Sequence, residues 1–242
     1  MILIARKATG DQGLNQAVAK LDKLFGPGKA IALAADLSKP EQVESVVAQI
    51  RSTEPAIHIL IANAAATYGG PFESTPDSFV QKVLDLNVRS IFNLVKAMVP
   101  LLRAAAAPGD PARVVVVGAG AGNVVATTGD TSIISYGVSK AAAHHLARWL
   151  ALELGPKGIA VNAIAPGFFP SKLANGLIAN LGGFDAIAAG NPLGRVGAPE
   201  DIAGIMVFLC SRAGSWMNGA VIQGPDGGAN VGGTRIATKG KL

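Results

Sequence analysis

The sequence predicts an α/β fold, a doubly wound parallel sheet with helices on both faces. Short apolar runs rich in β-branched residues alternate along the chain with longer segments of helical periodicity. Such runs are typical of strands that are buried on both faces of a parallel sheet. The chain has 242 residues, of which 50% are hydrophobic, and it contains no linker or internal repeat. We therefore expect one domain over residues 1–242.

The first half of the chain predicts three strands and three helices. Residues 1–5 and 30–35 form the first two strands, and an amphipathic helix follows each of them. The second helix is expected to begin at a capping box over Ser38–Glu41, with a proline in its first turn. Residues 57–61 form the third strand, and a long helix follows over 77–105.

The second half continues the same alternation, with one interruption. The remaining elements are a strand over 113–117, a helix over 136–154, a strand over 159–164, a helix from Pro199 and a strand over 220–222. Residues 166–194 are rich in proline and glycine and have only short helical patches. A long insertion of this kind is typical of a lid, so we expect it to cover a site at the carboxyl ends of the strands.

Charge and composition argue against several functional classes. The net charge is +5, but the basic residues are scattered and are not interleaved with stacking aromatic residues, which argues against a nucleic-acid-binding protein. Mild positive charge suits a phosphorylated cofactor better. No apolar run reaches the ~18 residues of a membrane-spanning helix, and the single Cys210 forms no internal disulfide. The adjacent His144 and His145 point in different directions and have no partners at ligand spacing. We expect a cytoplasmic protein without a metal site.

Tyr136 and Lys140 are the residues around which the chemistry is organised. They are four positions apart, so on a helix they lie on the same face. A cation close to a phenol favours the phenolate and is expected to lower the pKa of Tyr136 from its ordinary value near ~10. Such a pair can perform acid/base chemistry without a histidine.

Six short sequence motifs occur one after another along the chain. In chain order they are Asn63-Ala64-Ala65, Leu86-Asn87-Val88, Tyr136-x-x-x-Lys140, Val161-Asn162-Ala163-Ile164-Ala165-Pro166-Gly167, Gly194-x-x-Gly197-x-Pro199-Glu200-Asp201 and Asp226-Gly227-Gly228. With them, nearly the whole chain resembles the short-chain dehydrogenase/reductase family, whose fold is Rossmann-like. Within that family it is most similar to NADPH-dependent ketoacyl reductases of the rhamnolipid type.

The resemblance implies an NADP-dependent oxidoreductase that interconverts a ketone or ketoacyl group and a secondary alcohol by hydride transfer. It implies that Tyr136 protonates the substrate carbonyl oxygen, and that Lys140 holds the nicotinamide ribose and lowers the pKa of Tyr136. Asn87 would anchor a water relay to Lys140. The structural alternative for Asn87 is an asparagine within a helix that bonds to backbone.

Cofactor-binding residues are also implied by the resemblance. Arg6 and Lys7 lie where an NAD-specific relative has an acidic residue for the ribose 2′-hydroxyl, and a basic pair suits a 2′-phosphate. NADP is therefore favoured, with NAD as the alternative. The other implied contacts are Asp36 and Leu37 at the adenine, Asn63 and Ala64 beside the adenosine half, Phe169 at the carboxamide and Ser171 at the pyrophosphate. Asn63 has a plain turn as its alternative role, and Asp36 a helix cap.

The chain departs from the family pattern at its beginning. Residues 1–6 match the family's second strand, so the first strand and the Gly-rich turn that receives the pyrophosphate are missing. We expect a Rossmann-like sheet with a gap between two apolar edges, and a truncated product or a mis-assigned start. The segment Gly118–Gly122 resembles a Gly-rich phosphate loop, but it follows the fourth recognised strand and opens no clear helix.

A second departure concerns the serine that polarises the substrate carbonyl in the family. Alanine stands at the matching position, Ala119, 17 residues before Tyr136. An insertion in this stretch could bring the hydroxyl of Thr127, Thr128 or Ser132 into the vacant place. The competing prediction is a catalytically impaired or non-catalytic relative that keeps the fold.

The expected partners are a small carbonyl or alcohol substrate and further copies of the chain. The resemblance implies a homodimer or homotetramer that packs through the long helices 77–105 and 136–154, whose alanine-rich faces permit close approach. We expect no nucleic acid and no membrane partner. The lid residues 168–190 are mostly apolar and specify no particular substrate.

Overall fold

The structure, a computed structural model, describes residues 1–10, 13–24, 26–125 and 127–231, except for the side chain of Lys172. Parallel strands alternate with helices along the chain, as the sequence predicts. The strands are β1 (Ile2–Ala5), β2 (Ile31–Ala34), β3 (Ile59–Ala62), β4 (Ala112–Val117), β5 (Ile159–Ile164) and β6 (Val221–Ile222). The α-helices are α1 (Leu14–Leu21), α2 (Pro40–Thr53), α3 (Asp77–Leu84), α4 (Ser90–Ala105), α5 (Ile134–Leu154), α6 (Lys172–Asn180), α7 (Gly183–Gly190) and α8 (Pro199–Cys210).

The sheet is divided into two parts. One part pairs β1 with β2, and the other has the order β3-β4-β5-β6, with every pairing parallel. Within the described residues no strand bridges β1 and β3. The expected Rossmann-like sheet without its first strand is therefore confirmed, and both parts present an unpaired edge.

The hydrophobic core lies mainly on one face of the sheet. The apolar sides of α2, α4 and α5 pack there against Leu60, Val114 and Val161. On the other face α8 packs Leu209 against Val115 and Ile164. The two alternating faces of a buried strand thus meet helices from opposite layers.

Strand β3 is covered on one face only. Leu60 and Ala62 are buried in the main core, but Ile59 and Ile61, which point the other way, are 42% and 46% exposed. A strand of a parallel sheet is normally covered on both faces, so the exposed isoleucines mark a place that a helix would cover. The bare face lies beside the gap between β1 and β3.

The start of α2 differs from the prediction. Ser38 was expected to open a capping box, but the helix begins at Pro40 after an N-cap at Lys39 that makes no side-chain cap bond. The Ser38 hydroxyl donates instead to Asp36 Oδ1 at 2.7 Å. The capping-box prediction is wrong because a nearer carboxylate competes for the serine.

The carboxyl ends of both sheet parts converge on one segment. The long helix predicted over 77–105 is divided by a π-helical segment at Asp85–Arg89. Arg89 donates to the carbonyl oxygen of Ser38 beyond β2, at 3.2 Å, and Asn87 bonds the backbone of Ala66 beyond β3, at 2.8 Å. Both strand ends therefore open towards the same side of the molecule, where the predicted site residues lie.

Candidate active site

Tyr136 and Lys140 lie together on the first turns of α5, as their spacing predicts. Lys140 Nζ is 5.6 Å from the centroid of the Tyr136 ring. The lysine is buried and donates a hydrogen bond of 2.7 Å to the carbonyl oxygen of Val117, at the end of β4. The pair is thus fixed at the carboxyl end of the sheet.

Burial determines the direction in which the pKa values of Tyr136 and Lys140 are shifted. It raises the pKa of Tyr136 to about 12 and lowers the pKa of Lys140 to about 8. The expectation that Lys140 lowers the pKa of Tyr136 is wrong for this structure. The cost of removing the phenolate from water outweighs the attraction of an ammonium that is directed at Val117.

Asn87 is completely buried in the π-helical segment, and its side chain is fully engaged. Its Oδ1 accepts from the backbone N–H of Ala66 at 2.8 Å, and its Nδ2 donates to the Ala66 carbonyl at 2.8 Å. Nδ2 also donates to Ser139 Oγ at 2.9 Å. Asn87 therefore joins the loop after β3 to α5, which corresponds to the backbone-bonding alternative. π-Helical turns occur frequently at functional sites.

The segment Gly118–Gly122 packs against α5. Its last three residues form a 3₁₀ turn, and the Ala119 N–H donates to Nε2 of the buried His144 at 3.4 Å. A Cβ on Gly122 would lie 2.8 Å from both the Ala141 nitrogen and the His144 ring. The glycines of this segment have no Cβ and therefore permit close contact with α5.

The three candidate replacements for the missing serine hydroxyl differ in their bonding. Thr127 Oγ1 donates to the Thr131 carbonyl at 2.7 Å, and Thr128 is exposed. Ser132 is buried, and its Oγ has no hydrogen-bond partner within the part of the chain that the structure describes. Ser132 is therefore the one of the three whose hydroxyl is both buried and uncommitted.

Arg6 and Lys7 extend from the end of β1 and are exposed. They line a cavity of about 260 Å³ together with residues from the beginning of α1, including Gly13 and Leu14. Two basic side chains beside an open cavity at a strand end fit a phosphorylated ribose.

Asp36 and Leu37 follow β2 after one intervening residue, Ala35. Burial opposes ionisation of Asp36, but the hydrogen bonds from the hydroxyl and N–H of Ser38, together with the charges of Arg6 and Lys39, outweigh it and lower the pKa of the carboxyl. Asp36 thus orders the turn before α2, close to the capping role considered as its alternative. Leu37 is buried in the main core.

The four remaining predicted cofactor residues lie at the ends of β3 and β5. Asn63 is exposed and Ala64 half-buried, directly after β3. Phe169 packs its ring against Gly197, where a Cβ would lie 2.3 Å from the ring carbons. Ser171 is the N-cap of α6, and its Oγ accepts from the Ala174 N–H at 3.2 Å.

A larger cavity, of about 340 Å³, lies beside the segment that was expected to form a lid over a site. Phe168 and Phe169 form one wall, and α8 and the segment after β6 form others. Arg195 lines it and pairs with Asp201 through two bonds of 2.6 and 2.9 Å. The predicted lid itself contains α6 and α7, in agreement with its short helical patches.

The described residues contain neither a membrane-spanning helix nor a cluster of metal ligands. No helix there is both long enough and apolar enough to cross a membrane. No group of three or more histidine, cysteine, aspartate or glutamate side chains lies close enough to hold a metal ion there.

The sequence of this chain is similar to those of several known proteins. The chain is 38% identical over 209 residues to the rhamnolipids biosynthesis 3-oxoacyl-(acyl-carrier-protein) reductase of Pseudomonas aeruginosa, covering 86% of this chain and 80% of that protein. It is 32% identical over 213 residues to dehydrogenase/reductase SDR family member 4 of Mus musculus, covering 87% of this chain and 72% of that protein.

Solved structures have the same fold. The Pseudomonas aeruginosa RhlG/NADP active-site complex superposes with a TM-score of 0.84 at 36% identity, covering 95% of this chain and 86% of that chain. A short-chain dehydrogenase from Burkholderia cenocepacia in complex with NADP gives a TM-score of 0.80 at 26% identity, covering 95% of this chain and 86% of that chain.

A protein-family comparison agrees with these relatives. The family model described as Enoyl-(Acyl carrier protein) reductase matches residues 4–230, which include every motif from Asn63 to Gly228. The Tyr136–Lys140 pair and the interrupted long helix lie within the matched region. The chain therefore belongs to the short-chain dehydrogenase/reductase family of NAD(P)-dependent oxidoreductases.

Proposed function

We propose that the protein is an NADP-dependent oxidoreductase that interconverts a ketone or ketoacyl group and a secondary alcohol. The observation that carries this proposal is the Tyr136–Lys140 pair, with Lys140 Nζ 5.6 Å from the tyrosine ring at the carboxyl end of the sheet. The names of the relatives support it, because one is a 3-oxoacyl reductase and two solved neighbours are NADP complexes.

In the proposed mechanism Tyr136 is the proton donor. NADPH, when bound, supplies the hydride to the carbonyl carbon. The Tyr136 hydroxyl donates its proton to the carbonyl oxygen as negative charge develops there, and Lys140 would hold the nicotinamide ribose. A pKa of about 12 keeps Tyr136 protonated at neutral pH, which is the state that the reduction requires.

Asn87 keeps these groups in position. By bonding both Ala66 and Ser139 it holds the loop after β3 against the turn of α5 that carries Tyr136. In the proposal, the water relay to Lys140 uses this buried junction. Because the side-chain amide of Asn87 is already engaged in these hydrogen bonds, we expect the backbone of the π-helical segment to bind the relay water.

Residues on both parts of the sheet would hold NADP. Arg6 and Lys7 beside the 260 Å³ cavity provide positive charge for the 2′-phosphate, which favours NADP over NAD. The further proposed contacts are Asp36, Leu37, Asn63, Ala64, Phe169 and Ser171, with Lys140 at the nicotinamide ribose. A strand–turn–helix unit in the gap between β1 and β3 would complete the pyrophosphate end of this site.

A non-catalytic relative is the second candidate function. It is favoured by the alanine at position 119, which removes a hydroxyl donor, and by the open edges of the sheet. The buried Lys140 beside Tyr136 argues against it, because burying a lysine at 2% exposure is costly and a structural role does not require it.

We also propose a homo-oligomer and a cytoplasmic location. One stripe of α5 presents Ile134, Val138, Trp149 and Leu152, each more than half exposed, at 52%, 58%, 61% and 76%. An apolar stripe of this length is typical of a helix that packs against another copy. The free thiol of Cys210 is compatible with a reducing compartment.

Titration of the purified chain with NADPH, followed by nucleotide fluorescence, tests the proposal. Saturable binding, together with NADPH oxidation upon addition of a 3-oxoacyl thioester, is the expected result. Binding without turnover of any ketone would favour the catalytically impaired relative. A folded chain that binds neither NADPH nor NADH would contradict the enzyme.

A further inference from the structure

We propose that His144 is a positioning residue of the catalytic site, which fixes the segment after β4 against α5. This proposal rests on the proposed function for its catalytic consequence. His144 has no role in the mechanism proposed above. Its ring is buried, with 3% of the residue exposed, directly beneath the segment Gly118–Gly122.

The segment is shaped to receive the imidazole. A Cβ on Gly118 would lie 1.9 Å from His144 Nε2, and a Cβ on Gly122 would lie 2.8 Å from Cε1. Any larger residue at either position would displace the ring. Glycine at these two positions therefore forms a cradle for His144.

The ring also makes the polar contact that sets the backbone. Its Nε2 accepts a hydrogen bond from the Ala119 N–H at 3.4 Å. Ala119 is the position that matches the family's polarising serine. The contact therefore fixes the orientation of the residue that faces the substrate carbonyl in relatives.

His144 and Lys140 each form a hydrogen bond that connects α5 to the end of β4. They are one helical turn apart, and they bond residues 119 and 117, which are two apart along the extended chain. Lys140 is assigned to the nicotinamide ribose in the proposed mechanism, so its donors must be shared once the cofactor is present. The His144 contact needs no such change and can preserve the alignment of the two elements.

The chemistry of the ring is consistent with this role. To accept from Ala119, Nε2 must carry no proton, so the neutral ring holds its proton on Nδ1, which is buried without a partner in the described residues. Burial, followed by the nearby Lys140 and Arg148, lowers the pKa of His144 to about 4. The Gly118–Gly122 segment contributes no ionisable side chain.

Two substitutions separate positioning from simple packing. His144→Phe keeps a ring of similar size but removes the acceptor, whereas His144→Gln restores an acceptor oxygen. We expect His144→Phe to lower kcat by about tenfold or more, with the Kd for NADPH little changed, and His144→Gln to recover most of the loss. The same replacement at the exposed His58 is the control and should have no effect.

Amide hydrogen exchange of Ala119 tests the contact without any enzyme assay. In His144→Phe the exchange rate of the Ala119 N–H should rise about tenfold or more while the amides of β4 and β5 keep their protection. Gly122→Ala, whose Cβ would lie 2.8 Å from His144 Cε1 and equally close to the backbone of Lys140 and Ala141, separates the segment from both the ring and α5 and should give the same local rise. These outcomes hold even if the protein proves to have no reductase activity.

Other results would overturn the proposal. Unchanged Ala119 protection in both His144→Phe and Gly122→Ala would show that the ring does not hold this backbone. Equal loss of kcat and of NADPH binding in His144→Phe and His144→Gln would reduce the role to core packing. If His144→Phe fails to fold, the comparison of His144→Gln with Gly122→Ala decides in the same way.

Discussion

Lys140 donates a hydrogen bond of 2.7 Å from Nζ to the carbonyl oxygen of Val117, which ties the second turn of α5 to the last residue of β4. The contact explains how a lysine can be almost completely buried beside a tyrosine. A buried ammonium needs acceptors, and the end of a parallel strand offers a carbonyl that no neighbouring strand uses.

Replacing Tyr136 with phenylalanine should abolish most of the reductase activity. The substitution removes the proton donor but keeps the ring that packs near Lys140, so kcat should fall by at least about 10²-fold with the fold intact. Steady-state kinetics with NADPH and a ketoacyl substrate measures the change. Tyr68→Phe is a matched control, because Tyr68 is the only other tyrosine and stacks on Phe79. Equal activity of the two variants would contradict the assignment.

Restoring a hydroxyl at position 119 should raise turnover. Ala119→Ser places an oxygen where relatives polarise the carbonyl, and one such donor is worth about 10²- to 10³-fold in rate. The comparison is kcat of Ala119→Ser against Ala121→Ser, which adds the same group two residues away. If Ala119→Ser leaves kcat unchanged while Ser132→Ala abolishes activity, Ser132 has taken over the role.

The pKa of Tyr136 predicts opposite pH profiles for the two directions of the reaction. With a pKa of about 12 the phenol stays protonated across the neutral range, so reduction should be nearly flat with pH. Alcohol oxidation requires the phenolate, whose fraction rises about tenfold for each pH unit below the pKa. Initial rates in both directions between pH 6 and roughly 10 test this. A plateau in oxidation near neutrality would mean that the bound cofactor lowers the pKa of Tyr136.

Burial of Lys140 should make folding stability depend on pH in the alkaline range. Its pKa is lowered from 10.5 to about 8 in the folded chain, so between these values the unfolded chain binds the additional proton. The free energy of unfolding should therefore decrease as the pH falls from 10.5 towards 8, by at most about 1.4 kcal/mol per pH unit, and this contribution should be constant below that. Urea unfolding of the wild type and Lys140→Met measures the slope, which the variant should lack.

Charge at the end of β1 should decide between the two nicotinamide cofactors. Arg6→Ser with Lys7→Ser removes the cations beside the 260 Å³ cavity and should weaken NADPH binding by about 10- to 100-fold, with little change for NADH. Fluorescence titration with both nucleotides measures the ratio. Arg103→Ser, an exposed change at the end of α4, is the control. Equal weakening of both cofactors would place the 2′-phosphate elsewhere.

Periodicity and spacing predicted most of the fold. Strand β4 and helix α5 agree with the prediction within two residues because long, strongly patterned segments leave one structural solution. The gap beside β3 was predicted from the resemblance to the family, because residues 1–6 match its second strand. The resemblance to the family supplied the positions of the cofactor residues, which no local pattern gives.

Competition between neighbouring side chains was harder to predict. The hydroxyl of Ser38 bonds Asp36 rather than capping α2, although both partners were available in the sequence. The pKa of Tyr136 depends on burial, which the spacing to Lys140 does not report. The cradle that Gly118 and Gly122 form for His144 requires knowledge of which helix turn meets which loop. Such contacts are long-range, so local sequence carries little information on them.

The division of the sheet has a consequence for cooperativity. The β1–β2 pair is tied to the rest through side-chain packing and the Arg89 bond, without a shared ladder of backbone hydrogen bonds in the described residues. It should therefore melt as a separate unit at lower urea concentration than β3–β6. A nucleotide that spans from Arg6 to Phe169 would couple the two units, so that denaturation becomes a single transition with a larger m-value. Cofactor recognition in this chain would then also be the last step of its folding.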